Sequence, residues 1–92
     1  LTPVKSEVVD APYVEEFPLV LECKLVHTIE IGLHTQFVGE IVDVKADEAV
    51  LDNGIPDIKK VNPILFVPEA RTYYSVGDFL GKAFLIGKEN PR

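Results

Sequence analysis

A chain of 92 residues has room for one domain, and a domain this short buries only about 60 to 65% of the surface that its unfolded form exposes. Its net charge of −6, with nine scattered Lys and Arg residues, predicts no nucleic-acid partner, because proteins that bind a phosphate backbone concentrate positive charge on one face. No stretch reaches the roughly 18 consecutive apolar residues of a membrane helix, so we expect no membrane partner.

The apolar content is high for a small domain. Hydrophobic residues form 47% of the chain and the mean hydropathy is +0.16, so we expect part of the apolar surface to meet another chain or segment. The chain begins with Leu1 instead of Met, which favours a fragment of a longer protein. The single Cys23 lies within an apolar strand pattern and is expected to be a buried thiol in a reducing compartment, the cytoplasm.

Residues 1–18 form the first segment of the chain. Pro3, Pro12 and Pro18 fall within it. Proline fixes φ and lacks the amide hydrogen that a helix interior needs, and it also biases the preceding residue towards extended backbone. The sequence therefore predicts an extended arm that runs along a surface.

Residues 19–45 are predicted to be two long paired strands. From 19 to 31 the apolar and polar residues alternate with the period of a strand, and 34–45 is rich in Val and Ile. Gly32 allows a tight reversal between them, so antiparallel pairing is the simplest arrangement, with a bulge at the short connection as the alternative. Gly39 indicates a bend or a close approach of another backbone.

Residues 46–63 are predicted to be a loop excursion, and residues 64–92 a closing section. Within the excursion, Asp57 is expected to cap one short helical turn through residues 59–61. The closing section is expected to hold three short strands, at 64–67, 71–76 and 84–86. The predicted fold class is mainly β, with antiparallel strands and one short helical turn, and the two long strands point to a small barrel.

The sequence contains none of the common motifs of nucleotide-binding, hydrolytic or zinc-protease sites. Cys23 and His27 share one face of the predicted strand, but four residues of extended chain span roughly 13 Å, too far for both to bind one metal ion. No metal site is therefore predicted, and His27 is expected to be a hydrogen-bonded core or interface histidine.

Two short segments carry residues that suit ligand binding. His34 follows a glycine turn at the start of a strand, where the rim of a barrel meets solvent, although a histidine that caps turn backbone groups is an equal alternative. Arg71 pairs well with phosphate, and Tyr73 and Tyr74 have rings that stack on flat heterocycles. Alternating strand faces would send one of these tyrosines inward and the other outward, so a core tyrosine beside a surface tyrosine is the alternative.

Several stretches, in order along nearly the whole chain, resemble the second half of the flavin reductase-like proteins called flavoredoxins. Some of these stretches lie in the arm and the first long strand. The others lie in the second long strand and the closing section. The stretches are Leu-Thr-Pro at residues 1–3, residues 6–9, Ala-Pro-Tyr-Val-Glu-Glu at 11–16, Leu-Glu-Cys-Lys-Leu at 21–25, His-Thr-Gln-Phe-Val-Gly-Glu-Ile at 34–41, Arg-Thr-Tyr-Tyr at 71–74 ahead of Val-Gly at 76–77, and Gly-Lys-Ala-Phe-Leu-Ile-Gly-Lys at 81–88.

The resemblance implies part of a split β-barrel that binds FMN and pairs as a homodimer. The implied activity is electron transfer between a nicotinamide cofactor, NAD(P)H, or a redox protein partner and the flavin. Most FMN contacts in the family come from the half of the fold that precedes the equivalent of Leu1, so a missing N-terminal half of the same fold is an expected partner.

The resemblance also implies roles for individual residues. His34 matches a catalytic position, although the segment reads Gly-Leu-His here where related reductases carry Gly-Asp-His beside the nicotinamide, which favours another electron donor. Arg71, Tyr73, Tyr74 and Lys82 are the implied cofactor-binding residues. The alternative from a different functional class is a small non-catalytic β-barrel module for protein interaction, in which the apolar strands serve assembly.

Overall fold

The computed structural model describes residues 1–89 and divides into two compact units. The first unit runs from Leu1 to Val61, and the second begins at Asn62. Within the described residues, every sheet is a pair of antiparallel strands. The predicted mainly β fold class with antiparallel strands is therefore confirmed.

The arm at the start of the first unit is extended but folds back on itself. Strands β1 (Pro3–Lys5) and β2 (Pro12–Val14) pair antiparallel. Two further backbone bonds close this arm hairpin, from Ser6 N to Ala11 O at 3.1 Å and from Glu15 N to Thr2 O at 2.9 Å. The extended backbone was predicted from the prolines, whereas the pairing was not.

The two longest strands, β3 (Leu19–Ile31) and β4 (His34–Ala46), form the predicted antiparallel hairpin. Gly32 supplies the reversal with a φ of +58°, a backbone conformation that glycine adopts without the steric cost of a side chain. Among the described residues, each of these two strands pairs only with the other. Both outer edges of this long hairpin therefore lack a described strand partner.

Two bulges interrupt the long hairpin. Cys23 pairs with Ile41 although Glu22 pairs with Asp43, so Val42 is the extra residue, and a second register shift follows Leu25, where Val26 is the extra residue on β3. An extra residue shifts the alternation of faces along its strand. Beyond Val26 the odd positions of β3 therefore change face.

The change of face overturns one sequence prediction. Cys23 lies before the bulge at Val26 and His27 lies after it, so their side chains are on opposite faces and not on one face as the uninterrupted alternation suggested. Both residues are also exposed. The predicted buried thiol is therefore wrong: Val9 and Ala11 of the arm line a cleft with Cys23 but leave its side chain exposed. The exposure of His27 contradicts its predicted core position, whereas its interface position stays a prediction.

The excursion after β4 contains a 3₁₀ turn (Glu48–Val50), a hairpin of β5 (Leu51–Asp52) and β6 (Ile55–Pro56), and helix α1 (Ile58–Val61). Asn53 and Gly54 have φ values of 52° and 77°, which is the conformation of the tight two-residue turns of hairpins. The predicted cap is present: Asp57 Oδ1 accepts a bond of 3.0 Å from Lys59 N.

The second unit holds a hairpin of β7 (Leu65–Val67) and β8 (Thr72–Tyr74), followed by helix α2 (Ile86–Glu89). The strand predicted at 84–86 is wrong. Phe84 has a φ of 67°, and the amides of Leu85 and Ile86 both donate to Lys82 O, so the backbone turns here instead of extending. The rest of the predicted closing section, residues 90–92, lies outside the described residues.

Burial is low along most of the described chain. Val50 is the hydrophobic residue of the core, 6% exposed, whereas large apolar residues on the long hairpin and in the second unit are open to solvent. This agrees with the expectation that part of the apolar surface meets another chain or segment. Within residues 1–89, no helix has both the length and the apolar character to cross a membrane.

Candidate functional site

His34, the predicted catalytic residue, is the first residue of β4 and is exposed. It pairs with Ile31 directly across the turn that contains Gly32. The imidazole therefore stands at the tip of the long hairpin. The side chain is open to solvent there, and its position at the rim of a barrel stays a prediction.

The tyrosines and arginine of the predicted cofactor set lie together on the β7–β8 hairpin of the second unit. Tyr73 pairs with Phe66, and their ring centroids are 5.2 Å apart at an interplanar angle of 41°. Tyr74 is the next residue along the strand, so its side chain lies on the other face. Both tyrosines are exposed, and neither is a core residue within the second unit.

Arg71 ends the turn between β7 and β8 with a φ of 55°, an uncommon backbone conformation for a residue with a side chain. Its amide donates to Pro68 O at 3.3 Å and its side chain is exposed. A backbone held in this region indicates that the turn geometry is determined by the surrounding hairpin.

Thr72 Oγ1, beside Arg71, is buried and has no hydrogen-bond partner among the described residues. A buried hydroxyl without a hydrogen-bond partner lowers the stability of the fold by about 1 to 3 kcal/mol. Buried hydroxyls in proteins are therefore usually hydrogen-bonded. Lys82, the last member of the predicted set, is exposed, and its carbonyl holds the turn that leads to α2.

A cleft of about 490 Å³ lies in the first unit between the arm hairpin and the start of β3. Its lining is mostly apolar, and Tyr13 and Phe17 contribute aromatic rings. Glu22 forms part of its wall although it is only 3% exposed. Among residues 1–89, no group of three or more His, Cys, Asp or Glu side chains is placed to hold a metal ion.

Glu22 is the buried charged residue of this cleft, and two partners satisfy it. Ser6 Oγ donates to Glu22 Oε2, and the Lys45 ammonium binds Glu22 Oε1. Glu22 pairs with Asp43, and Lys45 lies two residues further along β4, so the Glu22–Lys45 contact is a diagonal cross-strand pair on one face.

The Lys45 ammonium is shared between two carboxylates. It also contacts Asp43 Oδ2 at 3.1 Å and lies 5.5 Å from the centroid of the Tyr13 ring, within the range of a cation–π contact. The hydrogen bonds to Glu22 and then Asp43 raise the pKa of Lys45 above its usual value. The hydrogen bond from Lys45, followed by the one from Val44 N, lowers the pKa of Asp43.

Sequence reasoning missed this cluster. Ser6 and Glu22 are 16 residues apart, and Glu22 and Lys45 are 23 residues apart, so no local spacing brings them together. Glu22 did show as a polar position in the strand alternation, which is equally the pattern of a solvated face. Only the packing of the arm against the long hairpin distinguishes a buried Glu22 from one on a solvated face.

The chain matches the model of the flavin reductase like domain family over residues 1–75. It belongs to this family. Two flavoredoxins of known structure are similar to it. The protein from Desulfovibrio vulgaris (Miyazaki F) is 60% identical with a TM-score of 0.84. The protein from Methanosarcina acetivorans is 39% identical with a TM-score of 0.86.

This chain spans less than half the length of the solved structures it matches. It aligns over 94% of its own length with 46% of the first flavoredoxin, and over 96% with 47% of the second. Nitrilotriacetate monooxygenase component B from Bacillus cereus is 26% identical with a TM-score of 0.73, over 89% of this chain and 44% of that one. An uncharacterized protein of Archaeoglobus fulgidus is 47% identical over 58 residues, 63% of this chain and 32% of the relative.

The family identification confirms the resemblance drawn from the sequence. The chain also shares the fold of the matched parts of the two flavoredoxins. Because the chain spans less than half the length of these solved relatives, the exposed apolar surface described above is that of a part of their fold.

Proposed function

We propose that this chain is part of an FMN-binding oxidoreductase of the flavoredoxin type, which transfers electrons between a redox donor and flavin. The observation that carries the proposal is the 60% identity to a flavoredoxin across 94% of the chain. The donor is NAD(P)H or a redox protein, and the protein acts in the cytoplasm as a homodimer. The bound flavin would supply the electron chemistry, and the protein would bind and orient it.

The residues of the β7–β8 hairpin have the chemistry that this cofactor requires. Arg71 offers a planar cation to a phosphate, and Tyr73 or Tyr74 offers a ring to the isoalloxazine. The buried Thr72 hydroxyl, which lacks a described partner, supplies a donor on the same hairpin. We assign the cofactor-binding role to these side chains, with Lys82 as a further phosphate contact.

His34 takes the role of the residue that meets the electron donor. An exposed imidazole at the tip of a hairpin can hold a donor group by a hydrogen bond. This role needs access to ligand from solvent, which the tip position provides.

The proposal is tested by titrating FMN into the purified complete gene product and following flavin absorption and fluorescence. We expect a saturable complex with one flavin per subunit. Arg71→Ala should weaken FMN binding by about tenfold or more, because a hydrogen bond to a charged group contributes about 1.5 to 3 kcal/mol. Arg71→Lys is the matched control that keeps the charge and removes the bidentate geometry.

Two further variants distinguish the hairpin residues. Tyr74→Ala should weaken binding while Tyr74→Phe retains it, because stacking needs the ring and not the hydroxyl. Thr72→Val should leave folding nearly unchanged and still reduce affinity if its hydroxyl bonds to the cofactor. FMN affinities equal to wild type in Arg71→Ala and Tyr74→Ala together would remove these residues from the cofactor site.

A non-catalytic interaction module is the second candidate, and the exposed apolar residues of the long hairpin favour it. The same titration separates the two. A complete gene product that stays colourless and binds no added FMN supports the interaction module and excludes the flavoprotein.

A further inference from the structure

The arm hairpin is joined to the long hairpin by a small set of polar contacts. Ser6 and Tyr13 come from the arm, and Glu22 and Lys45 come from β3 and β4. We call these four residues the clasp. The Ser6 hydroxyl is central to it, because it donates to Glu22 while it accepts bonds from Val8 N at 3.1 Å and Val9 N at 3.2 Å.

The arm hairpin has little stability of its own. Its strands are three residues long each, and an isolated two-stranded hairpin is marginally stable at best in water. Its other hydrogen bonds lie within the arm, such as the bond of 2.8 Å from Thr2 N to Glu16 Oε1, and β2 also contacts β3. The order of this segment therefore depends on its attachment to β3 and β4.

The clasp also closes one side of the cleft. Ser6 and Tyr13 line the cleft from the arm, and Glu22 lines it from β3. Detaching the arm would remove most of the wall opposite β3 and would expose Glu22. Closure and the burial of this carboxylate are therefore linked to the same contacts.

We propose that the arm hairpin is a strap that opens and closes over the cleft as a unit, and that the clasp of Ser6, Tyr13, Glu22 and Lys45 holds it closed. The long hairpin stays folded when the strap opens, because its pairing from Leu19 to Ala46 does not use the arm. Access to the cleft is thus controlled by four side chains, while the backbone pairing of β3 and β4 stays in place.

Amide hydrogen exchange of the complete gene product tests the proposal. The reporter amides are Ser6 N and Glu15 N, whose acceptors are backbone carbonyls of the arm, compared with the amides of β3 and β4. In the wild type the arm amides should exchange faster than those of the long hairpin. Lys45→Met should accelerate the arm amides by about tenfold and those of the long hairpin by clearly less, because the backbone pairing of β3 and β4 remains when their cross-strand ion pair is lost.

Two controls make the result specific. Lys45→Arg keeps a cation that reaches Glu22 and Tyr13, so it should restore slow exchange in the arm. Glu30→Gln alters an exposed carboxylate on the same strand as Glu22 and should change neither set of amides.

Glu22→Gln tests the other half of the clasp and should give the same selective acceleration as Lys45→Met. If that variant does not fold, the Lys45 pair still decides, because the Lys45 side chain is 39% exposed and tolerates replacement. Equal acceleration of the arm and the long hairpin, or no acceleration in Lys45→Met, would overturn the proposal.

Discussion

The two ends of the β3–β4 hairpin share one strand pattern but have different surroundings. At the end where β3 begins and β4 ends, which we call the clasped end, Glu22 is 3% exposed and the strands contact the arm. At the end near the turn, every position from 27 to 38 is exposed, including Phe37 at 67%. The described residues therefore bury a side chain at one end of this hairpin and leave every side chain from 27 to 38 exposed at the other.

The difference shows which properties of the hairpin come from this chain. The clasped end has a buried carboxylate with two partners, and breaking such a set leaves a charge without compensation. The turn end has no buried group among the described residues, so substitutions there change the exposed surface and not the packing. We expect mutations to divide between stability at the clasped end and function at the turn end.

Removal of the Glu22 side chain should have the largest effect on stability. Glu22→Ala leaves the Ser6 hydroxyl without its acceptor and Lys45 with Asp43 as its remaining carboxylate partner, and it should lower the free energy of unfolding by about 2 kcal/mol. Urea unfolding of the complete gene product measures this. Glu30→Ala, at an exposed carboxylate of the turn end, is the control and should stay within about 0.5 kcal/mol. Equal losses in the two variants would contradict the contrast between the ends.

Lys45→Met should change how stability depends on pH. In the wild type, the lowered pKa of Asp43 means that its stabilisation is present above the unfolded pKa of about 4 and is lost as pH falls through the folded value. Without Lys45, the Asp43 carboxylate loses the hydrogen bond that is the largest cause of its lowered pKa.

As pH falls below about 4 through the folded pKa of Asp43, the variant should therefore lose less stability than the wild type, because the stabilisation that Lys45 gives to this carboxylate is already absent. For the opposite limb, the raised pKa of Lys45 means that its stabilisation is present below about pH 10 and is lost as pH rises through the folded value. Midpoints of urea unfolding, measured in acid for the Asp43 effect and above about pH 10 for the Lys45 effect, check both changes. Parallel pH profiles in the wild type and Lys45→Met would show that the ammonium does not hold the two carboxylates together.

Substitution of two glycines of the same hairpin should lower stability for different reasons. A Cβ at Gly39 would lie 3.2 Å from the Cβ of Cys23, so Gly39→Ala should destabilise by about 1 kcal/mol through crowding. Gly32 has open space around it but a φ of +58°, so Gly32→Ala should cost about 1 kcal/mol through backbone strain. Gly32→Asn should recover much of that loss, since Asn tolerates this conformation, whereas Gly39→Asn should not. Recovery at both positions would contradict the crowding at Gly39.

The sequence predicted this hairpin well because its cues are local. Alternation identified the strands, and Gly32 identified the reversal. The bulges were missed although each falls at two consecutive apolar residues, Leu25-Val26 and Ile41-Val42, because such pairs also occur in strands that are covered on both sides.

Local sequence patterns did not predict the turn in the second unit or the contacts of the clasp. Residues 84–86 have the composition of a strand, but bonds from Leu85 and Ile86 to Lys82 O turn the backbone. The clasp joins residues 16 and 23 positions apart, and only the folded chain brings them into contact. Of the predicted site residues, the structure puts His34 and the β7–β8 hairpin at exposed positions, while their contacts with a cofactor remain a proposal.

The smallest effect on stability and the most informative effect on function should come from His34. Because His34 is exposed at the turn, His34→Ala should change the free energy of unfolding by less than about 0.5 kcal/mol. In the flavin-loaded complete gene product it should slow reduction of the flavin by about tenfold or more while the FMN affinity changes less. His27→Ala is the matched control, since register puts both histidines on one face of the same hairpin. Reduction followed at the flavin absorption band, with NADPH or NADH as donor, separates them. Equal reduction rates in the two variants would leave the turn end without a catalytic residue and would assign it to assembly alone.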